Sequence, residues 1–133
     1  MPLAKHNVCL IDDDSIYQFT ARKLLESTGL AKHIQSFYNG SEAINYFKDQ
    51  NNTHETLPDV IFLDINMPIM NGWEFLEEYH KIYNKLPKLI VVYVVSSSID
   101  SNDMQKSREY KTVSDYLVKP INRIQYKELI ESL

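Results

Sequence analysis

Val60-Ile61-Phe62-Leu63 is an unbroken apolar run that ends on an acid, Asp64. It is too short for a helix and reads as a buried strand. Pro68 forbids the strand ladder from continuing, and Asn71-Gly72 turns the chain into a second apolar-periodic stretch carrying Phe75, Leu76 and Tyr79. A carboxylate left at the tip of a buried strand is costly to keep for structure alone. Something should bind or react there.

The same alternation runs through the rest of the chain. Val8–Ile11 is a short apolar run followed by Asp12, Asp13 and Asp14. Ser15 and Gln18 have capping-box spacing, and Tyr17, Ala21, Leu24 and Leu25 repeat at helical period up to Gly29. Ile34–Tyr38 reads as a second, less buried strand. Asn39-Gly40 then opens a short amphipathic helix through Ala43, Ile44 and Phe47, and Asp49–Pro58 is a polar loop. Leu89–Val95 is the longest β-branched run, predicted to be covered on both faces and ending at Ser96, Ser97 and Ser98. The helix expected over Asp100–Lys111 has only Met104 and Tyr110 as apolar residues, so packing should hold it weakly. Tyr116–Val118 is a fifth strand before Lys119-Pro120, and Tyr126, Leu129, Ile130 and Leu133 mark a last helix. Five strands alternating with five helices predict an α/β, doubly wound parallel sheet of flavodoxin-like (βα)5 type. The expected strand order is 2-1-3-4-5.

Composition narrows the function. The 133 residues make one domain, and a net charge of −4 without a basic block argues against nucleic acid or an anionic membrane as the main partner. One cysteine, Cys9, permits no internal disulfide. The N-terminus has no apolar signal core and no run is long enough to cross a bilayer, so a cytoplasmic protein is expected. No glycine-rich phosphate loop is present, which argues against dinucleotide or nucleoside triphosphate binding.

In a parallel sheet all strand ends of one polarity share one rim. Asp12 and Asp13, Asp64, Ser96 and Lys119 fall at four such ends, on strands that the predicted order makes contiguous. Carboxylates this close repel unless a cation sits among them, and an oxygen-only donor set selects a hard one. So sparse a set suits Mg²⁺ better than a Ca²⁺ cage. With the Lys119 ammonium and the Ser96 hydroxyl beside a carboxylate, phosphoryl transfer onto that carboxylate is the expected chemistry.

From about Asn7 to Leu133 the chain resembles the receiver domain of two-component response regulators, in its single-domain, chemotaxis-regulator-like form. Asp12-Asp13, Asp64, Met67-Pro68, Gly72, Ser96, Tyr116 and Lys119-Pro120 carry the likeness. The resemblance implies that Asp64 is the phosphoacceptor, assisted by Lys119. It also implies that Asp12, Asp13, Asp64 and the backbone carbonyl of Asn66 surround Mg²⁺, with Asp13 the direct ligand and Asp12 acting through water. Ser96 matches the family's switch hydroxyl, Tyr116 its rotating aromatic, and Ser97 a neighbouring phosphate-side position. Lys119-Pro120 matches a peptide bond that is usually cis there. A histidine kinase or phosphotransfer protein would supply the phosphoryl group. The fourth helix, fifth strand and fifth helix would then change and signal to a downstream protein, as a monomer or a weak homodimer. Slow self-phosphorylation and self-dephosphorylation, rather than enzymatic turnover, are expected. With the chain ending at the fifth helix, the expectation is a stand-alone regulator or part of a longer protein.

Two other readings stay open at this point. Asp12-Asp13-Asp14 also satisfies the DxD pattern of haloacid-dehalogenase-type, Mg²⁺-dependent phosphohydrolases, with Asp12 as nucleophile. A receiver-like binding module that signals without phosphate is the third.

Overall fold

The computed structural model describes residues 5–133. Five strands, β1 (His6–Ile11), β2 (Ala31–Phe37), β3 (Val60–Asp64), β4 (Val91–Ser96) and β5 (Val113–Val118), form one sheet in the order β2-β1-β3-β4-β5. Every neighbouring pair is parallel, as the strand–helix alternation requires. The crossovers carry α1 (Ser15–Ser27), α2 (Gly40–Lys48), α3 (Gly72–Ile82), α4 (Ser101–Arg108) and α5 (Arg123–Glu131). The flavodoxin-like architecture and the predicted order are both observed.

The pleat divides the core into two layers. Cys9, Ile11, Ile61, Leu63, Val92 and Val94 meet Phe47 of α2 and Phe75, Leu76 and Tyr79 of α3. Val8, Leu10, Val60, Phe62, Tyr93 and Val95 meet Ala21 and Leu25 of α1 and Tyr126 and Ile130 of α5. Each large apolar side chain so buried stabilises the fold by roughly 1.5–3 kcal/mol, and β3, buried at every residue, lies at the centre of both layers.

Several boundaries differ from those the sequence suggests. The α1 cap is Asp14, whose carboxylate accepts from the backbone N–H groups of Ile16 (2.9 Å) and Tyr17 (3.1 Å). Gln18 is not a capping partner. It is buried, and its amide donates to the carbonyls of Leu10, Asp12 and Phe37, tying β1 to β2 at the rim. β4 begins at Val91 rather than Leu89, which is 88% exposed. Lys88 fixes that approach by bonding Asp59 (3.1 Å) and the Leu57 carbonyl (2.9 Å) below the sheet. β2 and β5 each begin three residues early, because polar residues on these outer strands hide their first ladder bonds from a hydropathy reading.

Two glycines allow the loop after Asp64 to be held by helix ends. A Cβ on Gly72 would lie 2.6 Å from both the Asp64 carbonyl oxygen and the Ile65 Cα, and one on Gly40 would lie 2.8 Å from the Met70 carbonyl oxygen. Their N–H groups donate to the Ile65 and Met70 carbonyls, each at 3.0 Å. Between these anchors Ile69 has φ +68°, a left-handed conformation that a β-branched residue adopts only under strain.

Candidate functional site

Ile11 and Leu63 are the last registered pair of β1 and β3, so Asp12 and Asp64 stand side by side where the strands end. Both continue the pleat of Leu10 and Phe62, towards the α1 and α5 layer. Both are buried, whereas Asp13 is exposed. The three carboxylates offer oxygens that all lie within 4.8 Å of one another.

Lys119 comes in from the end of β5. Its backbone N–H donates to the Ser96 carbonyl at 2.8 Å, extending the β4–β5 ladder past the strand, and the Lys119-Pro120 bond is cis. Its ammonium donates to Asp12 Oδ2 at 2.7 Å and lies 3.6 Å from Asp64 Oδ1. The other Asp12 oxygen accepts from the Asp14 N–H at 2.9 Å.

Burial pushes Asp64 up to about 6, and the Asp12 charge adds to it. Lys119 and the Asn66 backbone N–H act downward with smaller effect, and the Asp13 charge adds a still smaller upward one. Burial acts to lower Lys119, but the Asp12 hydrogen bond and the Asp64 charge outweigh it, so the ammonium stays protonated. Three acids against one ammonium leave an oxygen-only, net negative pocket, which fits a small hard dication.

The other predicted residues stand on the neighbouring segments, and Ser96 and Tyr116 make their hydrogen bonds to Ser98 rather than to the acids. Asn66 is exposed, two residues beyond Asp64, and Ser97 is exposed on the β4–α4 loop. Ser96 is fully buried, and its Oγ accepts from the Ser98 N–H at 3.0 Å. The half-buried Tyr116 packs against the α2 and α3 layer, and its hydroxyl donates to the Ser98 carbonyl at 2.8 Å. Ser98 therefore links Ser96 to Tyr116, a connection invisible in sequence.

Two contacts escaped the sequence reading. Asp14, the second acid of the DxD pattern, is spent on the α1 cap. Tyr17, read only as an apolar helix position, lays its ring 4.1 Å from the Lys119 ammonium.

A family model of the response regulator receiver domain matches residues 8–131. A two-component response regulator from Cytophaga hutchinsonii superposes with a TM-score of 0.81 at 32% identity, covering 96% of each chain. The transcriptional regulatory protein PrrA of Mycobacterium leprae is 33% identical over 85% of this chain and 43% of its own length. The sensor histidine kinase CheAY of Helicobacter pylori is 32% identical over 85% of this chain and 13% of its own. The chain thus spans less than half of both of these relatives. It belongs to the receiver domain family of two-component response regulators. Among its described residues no helix is long and apolar enough to cross a membrane.

Proposed function

We propose that the chain is a phosphorylation switch in which Asp64 accepts a phosphoryl group from the phosphohistidine of a histidine kinase or phosphotransfer protein. One Asp64 oxygen bonds to phosphorus as the donor P–N bond breaks, and the leaving electron pair stays on the imidazole. The product is an acyl phosphate. The observation that carries this reading is the convergence of Asp12, Asp13 and Asp64 with Lys119 between the two buried acids.

Asp12, Asp13, Asp64 and the Asn66 carbonyl would hold Mg²⁺, which when bound neutralises charge on the phosphoryl oxygens. Lys119 supplies a fixed positive charge to those oxygens. Ser96 has its Oγ engaged only as an acceptor from Ser98, so its O–H is free to donate to the phosphoryl group. Rotating that hydroxyl disturbs Ser98, and through the Ser98 carbonyl it disturbs Tyr116. The face of α4, β5 and α5 is then the output surface, read by a downstream protein or a second copy.

The test is uptake of phosphate from a small-molecule phosphodonor with Mg²⁺, followed by intact mass. One phosphoryl group on wild type and none on Asp64→Asn is expected. An unphosphorylated wild type, or equal uptake by the variant, overturns the reading.

A further inference from the structure

An ammonium has three N–H donors. On Lys119 one goes to Asp12 at 2.7 Å and Asp64 lies at 3.6 Å, while the Tyr17 ring faces Nζ with its centroid 4.1 Å away. An aromatic face attracts a cation through its quadrupole, most strongly where water is excluded, and the Lys119 side chain is only 19% exposed. The ring is itself fixed. Tyr17 stands in the first turn of α1 and packs against the core layer of Tyr126, which is buried on α5 and meets Phe62 of β3 edge-on at 5.2 Å.

We propose that Tyr17 is a positioning residue for phosphoryl acceptance: its ring holds the Lys119 ammonium against Asp12 and Asp64, aimed at the oxygens a phosphoryl group on Asp64 presents. The proposal rests on the phosphoacceptor reading above. No bond forms or breaks at Tyr17. Lys119 keeps all its protons and exchanges carboxylate for phosphoryl oxygens as acceptors. A lysine stem has four rotatable carbons, so without the ring the ammonium gains hydrated rotamers that point away from the site. A phenylalanine keeps the face that does this work, whereas a leucine fills similar space without it.

The experiment pairs a spectroscopic signature with a rate. In wild type the Lys119 ε-methylene NMR signals should be shifted upfield by the ring, a measurement that needs no variant. Tyr17→Phe should keep the shift and Tyr17→Leu should lose it, with Tyr17→Met as the replacement should the leucine variant not fold. Phosphorylation by the small phosphodonor with Mg²⁺ should slow about fivefold in Tyr17→Leu and recover in Tyr17→Phe, the size a partly desolvated cation–π contact supports. An ordinary lysine shift in wild type, or a leucine variant phosphorylated at the wild-type rate, overturns the positioning role alone. Absence of phosphate uptake by wild type overturns the phosphoacceptor reading instead, whatever the Lys119 shift.

Discussion

Two aspartates at opposite ends of the sheet show how surroundings decide what a carboxylate can do. Below the sheet, burial acts to raise Asp59, but the Asn7 N–H at 2.8 Å and Lys88 at 3.1 Å outweigh it, and the group ends below its ordinary value. Asp64 has the reverse balance. Burial and the Asp12 charge push it up to about 6 despite Lys119. Because the folded pKa lies above the unfolded value of 3.8, protonation favours the folded state: the contribution is fully present below pH 3.8 and lost as pH rises through 6. In protein free of divalent ions, Asp64→Asn should therefore stabilise by roughly 1–2 kcal/mol at pH 7, after allowance for solvent screening. That gain should shrink as pH falls to 4.5, where wild type is itself largely protonated. Urea unfolding of both proteins at the two pH values measures it, and an equal difference at both would contradict the assignment. A charged Asp64 at neutral pH is thus a cost of folding, held in place by the rest of the chain.

At the scale of single elements, much of that holding is done by helix caps. Asp14, Asn39, Asn71, Asp100 and Asn122 all receive N–H bonds from the turn they open, and Asn71 and Asn122 close full capping boxes with Glu74 and Gln125. The cap of α1 is also the cap of the site, because it follows directly on Asp12 and Asp13. Asp14→Ala should cost about 1 kcal/mol, while Ser15→Ala should fall within a few tenths. Thermal unfolding of the two variants distinguishes them, and a larger loss for Ser15 would refute the observed cap. This boundary was hard to read from sequence for a plain reason: three acids followed by a serine offer four chemically suitable caps, and residue type alone does not choose. The strands were easier. β1 from Val8 to Ile11 and β3 from Val60 to Leu63 are continuous apolar runs, so the positions of Asp12 and Asp64 follow directly from where hydrophobicity stops. Hydropathy puts the start of β4 two residues early because Leu89 is apolar yet points into solvent. Lys119 could be placed at the rim by strand counting. Its contact with Tyr17 could not, since periodicity assigns a residue to a face and says nothing of what crosses from another element.

Across the whole molecule, stability is unevenly shared, and the weak part adjoins the site. The central strands and α3 carry large buried side chains on both sides of the sheet, but Ser107 is the one fully buried residue of α4. What fastens this region to α3 lies at the surface. Trp73 stacks on Tyr110 with ring centroids 6.0 Å apart, Lys106 sits 4.8 Å above the Trp73 ring, and the Tyr110 hydroxyl donates to Glu77 at 2.8 Å. A segment held by a few half-exposed contacts opens at a free energy well below that of global unfolding. The loop that leads into α4 is also the one where Ser98 joins Ser96 to Tyr116, so the sparsely buried helix adjoins the rim directly. Amide hydrogen exchange should consequently be faster over residues 101–110 than in any other helical segment. Trp73→Ala should accelerate it there by about tenfold, with little change in β1, β3 or α5, since removing a stacked and cation-capped ring forfeits about 1–2 kcal/mol locally. Uniform acceleration across the chain would mean that α4 unfolds only with the whole, and the proposed phosphorylation of Asp64 would then have no soft element through which to be read.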